Sequence, residues 1–326
     1  MAKVSIIVPI YNVEKYLPKC LDSLINQTFK DIEVWAISDG SPDNSVSIIK
    51  EYAKKDNRIK CIEKENGGYG SVLEYAIQNI TTEYFLICDP DDWLAEDAIE
   101  TLYNLAIKDD LDLVVGAKYL VYNDNEEQVY DKSMEPFCRV VPGKVYDSNI
   151  GEFAFLHVSP HSKLYRTKIA KDISFPKKVS FTDFLLYILA LTNVKKAIYI
   201  DQALSYYLVD RPGNSMTDIN PKIFDYHITV FNSTVEQLNE KNNVSNLIYL
   251  RLYYQFRSIC NVFKNVKNKE SVLEYHDKIM NLLDLLKDKK KIMCKNMFYG
   301  NYKDKLFLKL LLNKTTRKSF FDRLVK

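Results

Sequence analysis

Asp89-Pro90-Asp91-Asp92 puts three carboxylates into four residues. Carboxylates so crowded repel one another, and the crowding is costly unless a cation sits among them. They are hard oxygen ligands, which favours Mg²⁺ or Mn²⁺ over zinc. Magnesium uses one or two carboxylates and completes its shell with phosphate oxygens and water, so the cluster asks for a metal-bound diphosphate. One Asp would suffice to cap a helix starting near Trp93; three exceed that need. Asp39, in Asp39-Gly40-Ser41-Pro42, can accept from a base or ribose donor, or simply serve the turn. In Asn66-Gly67-Gly68-Tyr69-Gly70 the glycines would let backbone N–H groups approach a phosphate at a helix start.

These residues need a frame that brings them together. Residues 3–10 are nearly all apolar, as in a parallel strand buried on both faces. Residues 16–27 carry Leu17, Cys20, Leu21, Leu24 and Ile25 at helical spacing. Strands are expected at 32–37, 59–63, 84–88 and 113–122, and helices at 45–54, 70–80 (Val72, Tyr75, Ala76 and Ile80 inward) and 95–107. Strand and helix alternate over short loops, which implies an α/β fold with a doubly wound, mostly parallel sheet. Ligands in such sheets bind past the carboxyl ends of the strands, which is where 9–12, 38–41, 63–68 and 89–92 fall. Beyond 122 the pattern loosens into an excursion with a hairpin (123–145), helices at 162–170 and 181–192, a short strand at 197–201, and mainly helices from 221.

The same pattern excludes several chemistries. No glycine follows the first strand, where a dinucleotide fingerprint would need it, and there is no G-x-x-x-x-G-K-[ST] loop. No Gly-x-Ser-x-Gly elbow is present. His157, His161, His227 and His276 form no ligand motif and are expected to be structural. Six scattered cysteines without C-x-x-C point to reduced thiols. The longest apolar run, 184–191, is far short of the ~20 residues a membrane span needs. The N-terminus lacks the pattern of a signal peptide, and a cytoplasmic location is expected. Charge is uneven: residues 287–326 hold thirteen Lys/Arg against three acids, +10 within a net +2. Leu306, Phe307, Leu308, Leu310, Leu311, Leu312, Phe320, Phe321 and Leu324 lie among those cations. That composition suits an interfacial helix at the inner face of a membrane, or a terminal helix docked on its own domain.

Taken in order, Val8-Pro9-Ile10-Tyr11-Asn12, Tyr16-Leu17, Cys20-Leu21-Asp22-Ser23-Leu24, Gln27-Thr28-Phe29, Asp39-Gly40-Ser41, Asn66-Gly67-Gly68 and Asp89-Pro90-Asp91-Asp92 resemble glycosyltransferase family 2, with its GT-A nucleotide-sugar-binding fold. The resemblance implies inverting transfer of a sugar from a nucleotide-diphosphate donor. By position, Pro9, Tyr11 and Asn12 would line the nucleotide pocket with Glu14 near it, Asp39 would meet the base, and Gly67 and Gly68 would lie on the donor side. Asp89 would approach ribose or metal, and Asp91 would hold the divalent cation. Asp92 would support the loop or the acceptor side.

A second stretch, Ser162-Lys163-Leu164-Tyr165-Arg166, then Phe181-Thr182-Asp183 and Tyr206-Tyr207 with Arg211 and Asn214-Ser215-Met216, resembles members that build surface polysaccharides and decorate teichoic acids. There Asp183 takes the place of the general base; its plainer role is an N-cap for the following helix. Lys163 and Arg211 would bind diphosphate or be ordinary surface charge. Three departures stand out: Ser38 replaces an acid, Val72-Leu73-Glu74 replaces Ala-Arg-Asn, and Thr182 replaces a Glu. The resulting organisation is a nucleotide-sugar half (1–120), an acceptor half (121–216) and a C-terminal helical region (217–326). The expected partners are a nucleotide sugar, with UDP favoured, and a glycan or polyprenyl-diphosphate-linked acceptor. Peripheral membrane contact through 303–326 is expected, and nucleic acid is not. The alternative function is a non-catalytic nucleotide-sugar-binding assembly subunit.

Overall fold

A computed structural model describes residues 2–122, 127–209, 211, 221–266, 273–289, 291, 293 and 302–325, with side chains of the last segment described at 305–323. Asn214-Ser215-Met216, Cys294, and the side chains of Lys303 and Leu324 therefore lie outside the described residues.

The apolar first segment forms β1 (Val4–Ile10), buried along its whole length. Helix α1 (Leu17–Ile25) follows, then β2 (Ile32–Asp39), α2 (Ser45–Lys55), β3 (Ile59–Lys64), α3 (Tyr69–Asn79) and β4 (Tyr84–Ile87). β1, β2, β3 and β4 are parallel. Their side chains alternate between two cores, as strand geometry requires. Ile6, Val8, Val34, Ala36 and Leu86 face α1, α2 and the later helix α4 (Ala98–Lys108). Ile7, Trp35, Ile37, Phe85 and Ile87 face the opposite layer, which contains α3.

Two places differ from the sequence expectation in this half. The helix expected at 95–107 begins at Ala98 because Trp93–Leu94 form a short strand, β5. Tyr75 of α3 is 40% exposed rather than inward; its ring packs at the edge of Trp35.

The second half completes the same sheet with β6 (Leu113–Tyr122), β7 (Gln128–Asp131), β8 (Val145–Tyr146), β9 (Lys163–Arg166) and β10 (Ala197–Val209). The strand order is β3-β2-β1-β4-β9-β6-β10-β5, with β7 on β6 and β8 on β10. A hairpin was expected within 123–145; of that stretch β7 pairs back on β6, which precedes it, so the hairpin's first strand lies before the expected range. The helix expected at 162–170 is instead β9, antiparallel to both β4 and β6, followed by a 3₁₀ turn at Thr167–Ile169. The Lys-Leu-Tyr-Arg run has no helical period; Leu164 and Tyr165 enter opposite cores, which only a strand allows. The short strand expected at 197–201 extends to Val209 and carries two register shifts against β6.

Helix α5 (Thr182–Leu191) is buried along most of its length. It packs against α6 (Lys222–Asn239) and shares one continuous core with α7 (Asn246–Asn265), α8 (Tyr275–Asn281), α9 (Tyr302–Leu311) and α10 (Lys314–Val325). Leu308, Leu311, Leu312 and Phe321 of the basic tail are buried there, and buried Arg317 donates to Asp284 at 2.8 Å and to the Leu311 carbonyl at 2.9 Å. These four apolar side chains of the tail are therefore spent on its own domain, while Leu306, Lys309, Lys314, Lys318 and Arg323 face solvent. Among the described residues no helix is long and apolar enough to cross a membrane.

Packing of this layer sets a pH limit on stability. His227 of α6 stacks on Phe181, centroids 4.3 Å apart, and burial pushes its imidazole from the ordinary 6.5 down to about 4. The unfolded chain then binds the extra proton first, so stability is complete above about pH 6.5 and falls as the pH drops toward 4. Melting curves between pH 4 and 8 should show Tm falling in that window. His227→Phe should flatten the fall, and an unchanged slope would contradict the assignment.

Candidate active site

β4 ends at Ile87, and the chain delivers Asp89, Asp91 and Asp92 at the carboxyl edge of the sheet. Asp89 Oδ1 accepts from the Tyr69 hydroxyl at 2.8 Å. Burial and the neighbouring Asp91 carboxylate push Asp89 up to about 7, with Asp183 adding in the same direction. Asp91 is ion-paired with Arg211, whose guanidinium also lies 5.4 Å from the Tyr16 ring centre. A cavity of about 170 Å³ beside Asp91 is walled by Lys15, Tyr16, Lys19 and Trp93.

Asp92 is a different kind of carboxylate. It is buried; its Oδ1 accepts the Leu208 N–H at 2.8 Å and its Oδ2 lies 2.7 Å from His161 Nε2. Burial pushes Asp92 up and His161 down, disfavouring the charged form of each. Asp92 therefore ties the acidic loop to β10. Asp89, Asp92 and His161 still present one ligand atom each within 4.8 Å of one another. His161, expected to be structural, lies against two of the three acids, and among the described residues its Nδ1 has no hydrogen-bond partner.

The glycine loop departs from its expected role. Gly67 and Gly68 give their N–H groups to Asp39, at 3.0 Å to Oδ1 and 2.7 Å to Oδ2, and Lys64 Nζ adds a contact at 2.5 Å. Those N–H groups are spent, so they do not cradle a phosphate. Asp39, 3% exposed, organises this loop and keeps little acceptor capacity for a base.

The glycines instead allow close backbone approach. Gly68 has φ +84, and a Cβ there would sit 2.9 Å from Lys178 Cα; a Cβ on Gly70 would sit 3.0 Å from the Thr182 side chain. The Gly67 carbonyl accepts the Lys178 N–H at 2.7 Å. The loop thus seats the 178–183 segment that carries Asp183. Gly68→Ala should cost about 1–3 kcal/mol from the strained backbone, read as a lowered denaturation midpoint. A neutral Ala would show that this approach is unimportant.

Asp183 stands in the first turn of α5, after Phe181 in a left-handed conformation (φ +66). Burial pushes its carboxyl up, while the Phe184 N–H and the Lys163 ammonium pull it partly back. The expected N-cap role is not what the structure shows: the cap position is Phe181, with no side-chain cap bond, and Asp183 stands within the helix as a carboxylate near enough to raise Asp89 and Tyr69.

Lys163, expected as a diphosphate ligand or surface cation, is neither. It is 1% exposed, its ammonium donates to the Ser159 carbonyl and lies 5.2 Å from the Tyr187 ring centre, and burial then Lys118 push its pKa well down. β9 carries it inward, so it acts from beneath on Asp183.

Around β1, Pro9 is buried in the strand and Tyr11 is 51% exposed at its mouth. Asn12 (φ +54) donates its N–H to Ser41 Oγ at 2.8 Å. Glu14, expected near the pocket, is committed to α2. Its Oε2 accepts the Asn44 N–H and Nδ2 at 2.8 and 2.9 Å, and its own N–H donates to Asp43 at 2.8 Å. That leaves Glu14 a helix-start residue rather than a ligand contact.

Sequence reasoning missed Tyr69, Lys64, Lys19 and the role of Trp93. Tyr69 sits inside the glycine motif, and an aromatic hydroxyl in such a loop was the available signal. Lys64 is the last residue of the third strand, hence at the ligand edge. Trp93, near which a helix was expected to start, stacks on Tyr206 at 5.4 Å and carries Lys19 Nζ 3.4 Å from its ring centre; only tertiary pairing of β5 with β10 reveals that.

With this geometry in place, comparison with known proteins is informative. The family model described as Glycosyl transferase family 2 matches residues 5–174. The glycosyltransferase GlyA of Streptococcus pneumoniae serotype 4 is 34% identical over 226 residues, 64% of this chain; the chain spans 30% of that relative's length. A poly(ribitol-phosphate) beta-glucosyltransferase of Bacillus spizizenii is 27% identical over 285 residues, covering 84% of this chain and 43% of the relative. Among solved structures, S. aureus TarS 1-349 in complex with UDP-GlcNAc superposes with a TM-score of 0.74 at 23% identity, over 99% of this chain and 90% of that one.

Proposed function

We propose, on the premise that the chain belongs to glycosyl transferase family 2 and is a glycosyltransferase of GT-A fold, that it moves a sugar from a nucleoside diphosphate, with UDP favoured, to a hydroxyl of a surface-polysaccharide acceptor with inversion. The observation carrying this reading is the convergence at one crevice of Asp89, Asp91, Tyr69 and Asp183, with Asp89 pushed up to about 7. The names of the relatives, a poly(ribitol-phosphate) glucosyltransferase and a minor teichoic acid biosynthesis protein, favour a glycan or polyol-phosphate chain as acceptor.

The acidic residues fit a divalent cation. Asp89 and Asp91 each keep a carboxylate oxygen outside their bonds to Tyr69 and Arg211, and the repulsion that raises Asp89 is what a cation would relieve. Asp91 and Asp89 would hold Mg²⁺ or Mn²⁺, which when bound supplies charge neutralisation at the diphosphate. Asp92 and His161, already bonded to each other, fix the loop and could contribute a ligand only by giving up that bond.

The chain's own residues do the rest. Arg211 reaches Asp91 from beyond β10 and offers a guanidinium to the leaving diphosphate. The acceptor oxygen attacks the anomeric carbon, its proton passes to the Asp183 carboxylate, and the bond from that carbon to the diphosphate oxygen breaks. Lys163 and the Phe184 N–H favour the ionised form of Asp183 that can accept the proton. Any membrane contact would rest on the solvent-facing cations of the tail, with Leu306 exposed beside them.

A panel of nucleotide sugars with Mn²⁺ or Mg²⁺, read by thermal shift and nucleoside diphosphate release, tests this reading. One donor, expected to carry UDP, should both stabilise the protein and be turned over. A panel in which none does either would overturn it.

A further inference from the structure

The molecule has a second cavity, of about 330 Å³, which the donor chemistry does not use. One wall is a single face of α7: Arg251, Tyr254, Ser258 and Asn261 recur at spacings of three and four. Glu135, Phe137 and Phe155 form the other wall, with Arg257 beside the helix face. Ser258 and Asn261 are exposed and mark the mouth.

Arg251 lies at the floor. It is 7% exposed, yet among the described residues its one hydrogen bond is a long one from Nη1 to Gln255 at 3.3 Å, and Nε has no partner there. A guanidinium carries five N–H donors in a planar fork, and burying it under-satisfied is costly. Helix positions turned toward a core are normally apolar; this face keeps Arg251 buried at its inner end, with a hydroxyl and an amide at its mouth and Arg257 beside it. Glu135 offsets part of the charge, leaving a net positive pocket with an acceptor on the opposite wall. Arg251 also lies 5.3 Å from the Phe184 ring centre, next to Asp183, so the cavity adjoins the base from the helical layer.

We propose that this cavity is a second binding site, taking the phosphate of a phosphorylated sugar or polyol unit. Arg251 and Arg257 would receive the phosphate oxygens; Glu135, Ser258 and Asn261 would meet hydroxyls; Phe137 and Tyr254, stacked at 4.8 Å, would wall the carbon chain. Such a unit can come from a repeat of the acceptor chain or from a free metabolite. The assignment does not rest on the donor-site reading.

The test uses full-length protein in metal-free buffer without nucleotide, and the variants below separate this cavity from any phosphate held by Arg211 of the acidic crevice. Glycerol 3-phosphate should raise Tm saturably, and glycerol should not. Arg257→Gln should weaken the response about tenfold. Ser258→Glu, at an exposed helix position, places a carboxylate at the mouth; it should keep the fold, raise the Tm of the free protein and abolish the response. Tighter binding of a glycerol-phosphate oligomer would assign the acceptor chain as source, and equal binding a free phosphorylated unit. No saturable shift, or a shift that survives both variants, overturns the proposal. Donor binding with Mn²⁺ is measured separately, so failure of one site is distinguishable from failure of the other.

Discussion

Asp183→Asn should lower the transfer rate by roughly 10²–10⁴-fold while leaving donor affinity and Tm close to wild type. The side chain sits in the first turn of α5, where the Phe184 N–H favours its ionised form, and Asn keeps its size and polarity there. Burial makes the charged form costly, so removing the charge does not weaken the fold. What is lost is the one feature Asn cannot imitate, an oxygen able to take the acceptor's proton. The measurement is steady-state transfer beside calorimetric donor binding. Loss of both together would mean that Asp183 shapes the donor site rather than acting as base. Retained turnover would remove it from the mechanism. A chain that binds donor but shows no turnover even as wild type would be the non-catalytic subunit.

Asp91→Asn should abolish the metal-dependent part of donor binding. Substitutions that only orient a metal ligand commonly cost about 10–100-fold in affinity, and loss of a ligand itself should reach at least the upper end. Two consequences distinguish this from general damage. Asp89 should become easier to ionise, because the Asp91 carboxylate is a leading cause of its raised pKa after burial. Arg211 loses its ion-pair partner, so the variant should bind free diphosphate without metal no worse than wild type. Transfer assayed across a manganese titration would show no rescue at high metal. Rescue to the wild-type rate would assign the cation to Asp89, Asp92 and His161 instead.

Much of the nucleotide half was legible because its signals are local. Strands buried on both faces announce themselves as apolar runs, and the topology then fixes their carboxyl ends as the ligand edge. The acidic loop was legible for the same reason. What was not legible depended on partners remote in sequence. The Lys-Leu-Tyr-Arg segment reads as a helix until β4 and β6 leave a slot for an antiparallel strand. The glycines carry the same letters whether they cradle phosphate or admit a neighbouring backbone, and only Lys178 and Thr182 decide between these. His161 is an unremarkable residue in the chain and becomes part of the site through Asp92, 69 positions earlier. The tail kept two readings open because amphipathicity does not say what covers the apolar face; the packing of Leu308, Leu311 and Phe321 supplies the answer for that face.

The central claim is that the acidic loop after β4 binds a sugar diphosphate through a divalent cation. Titration calorimetry of the donor selected by the panel into wild-type protein, with Mn²⁺ and again after chelation, tests it most directly. Binding with Mn²⁺ that vanishes on chelation and returns when the metal is restored is the predicted result. Equal heats with and without metal would contradict the claim.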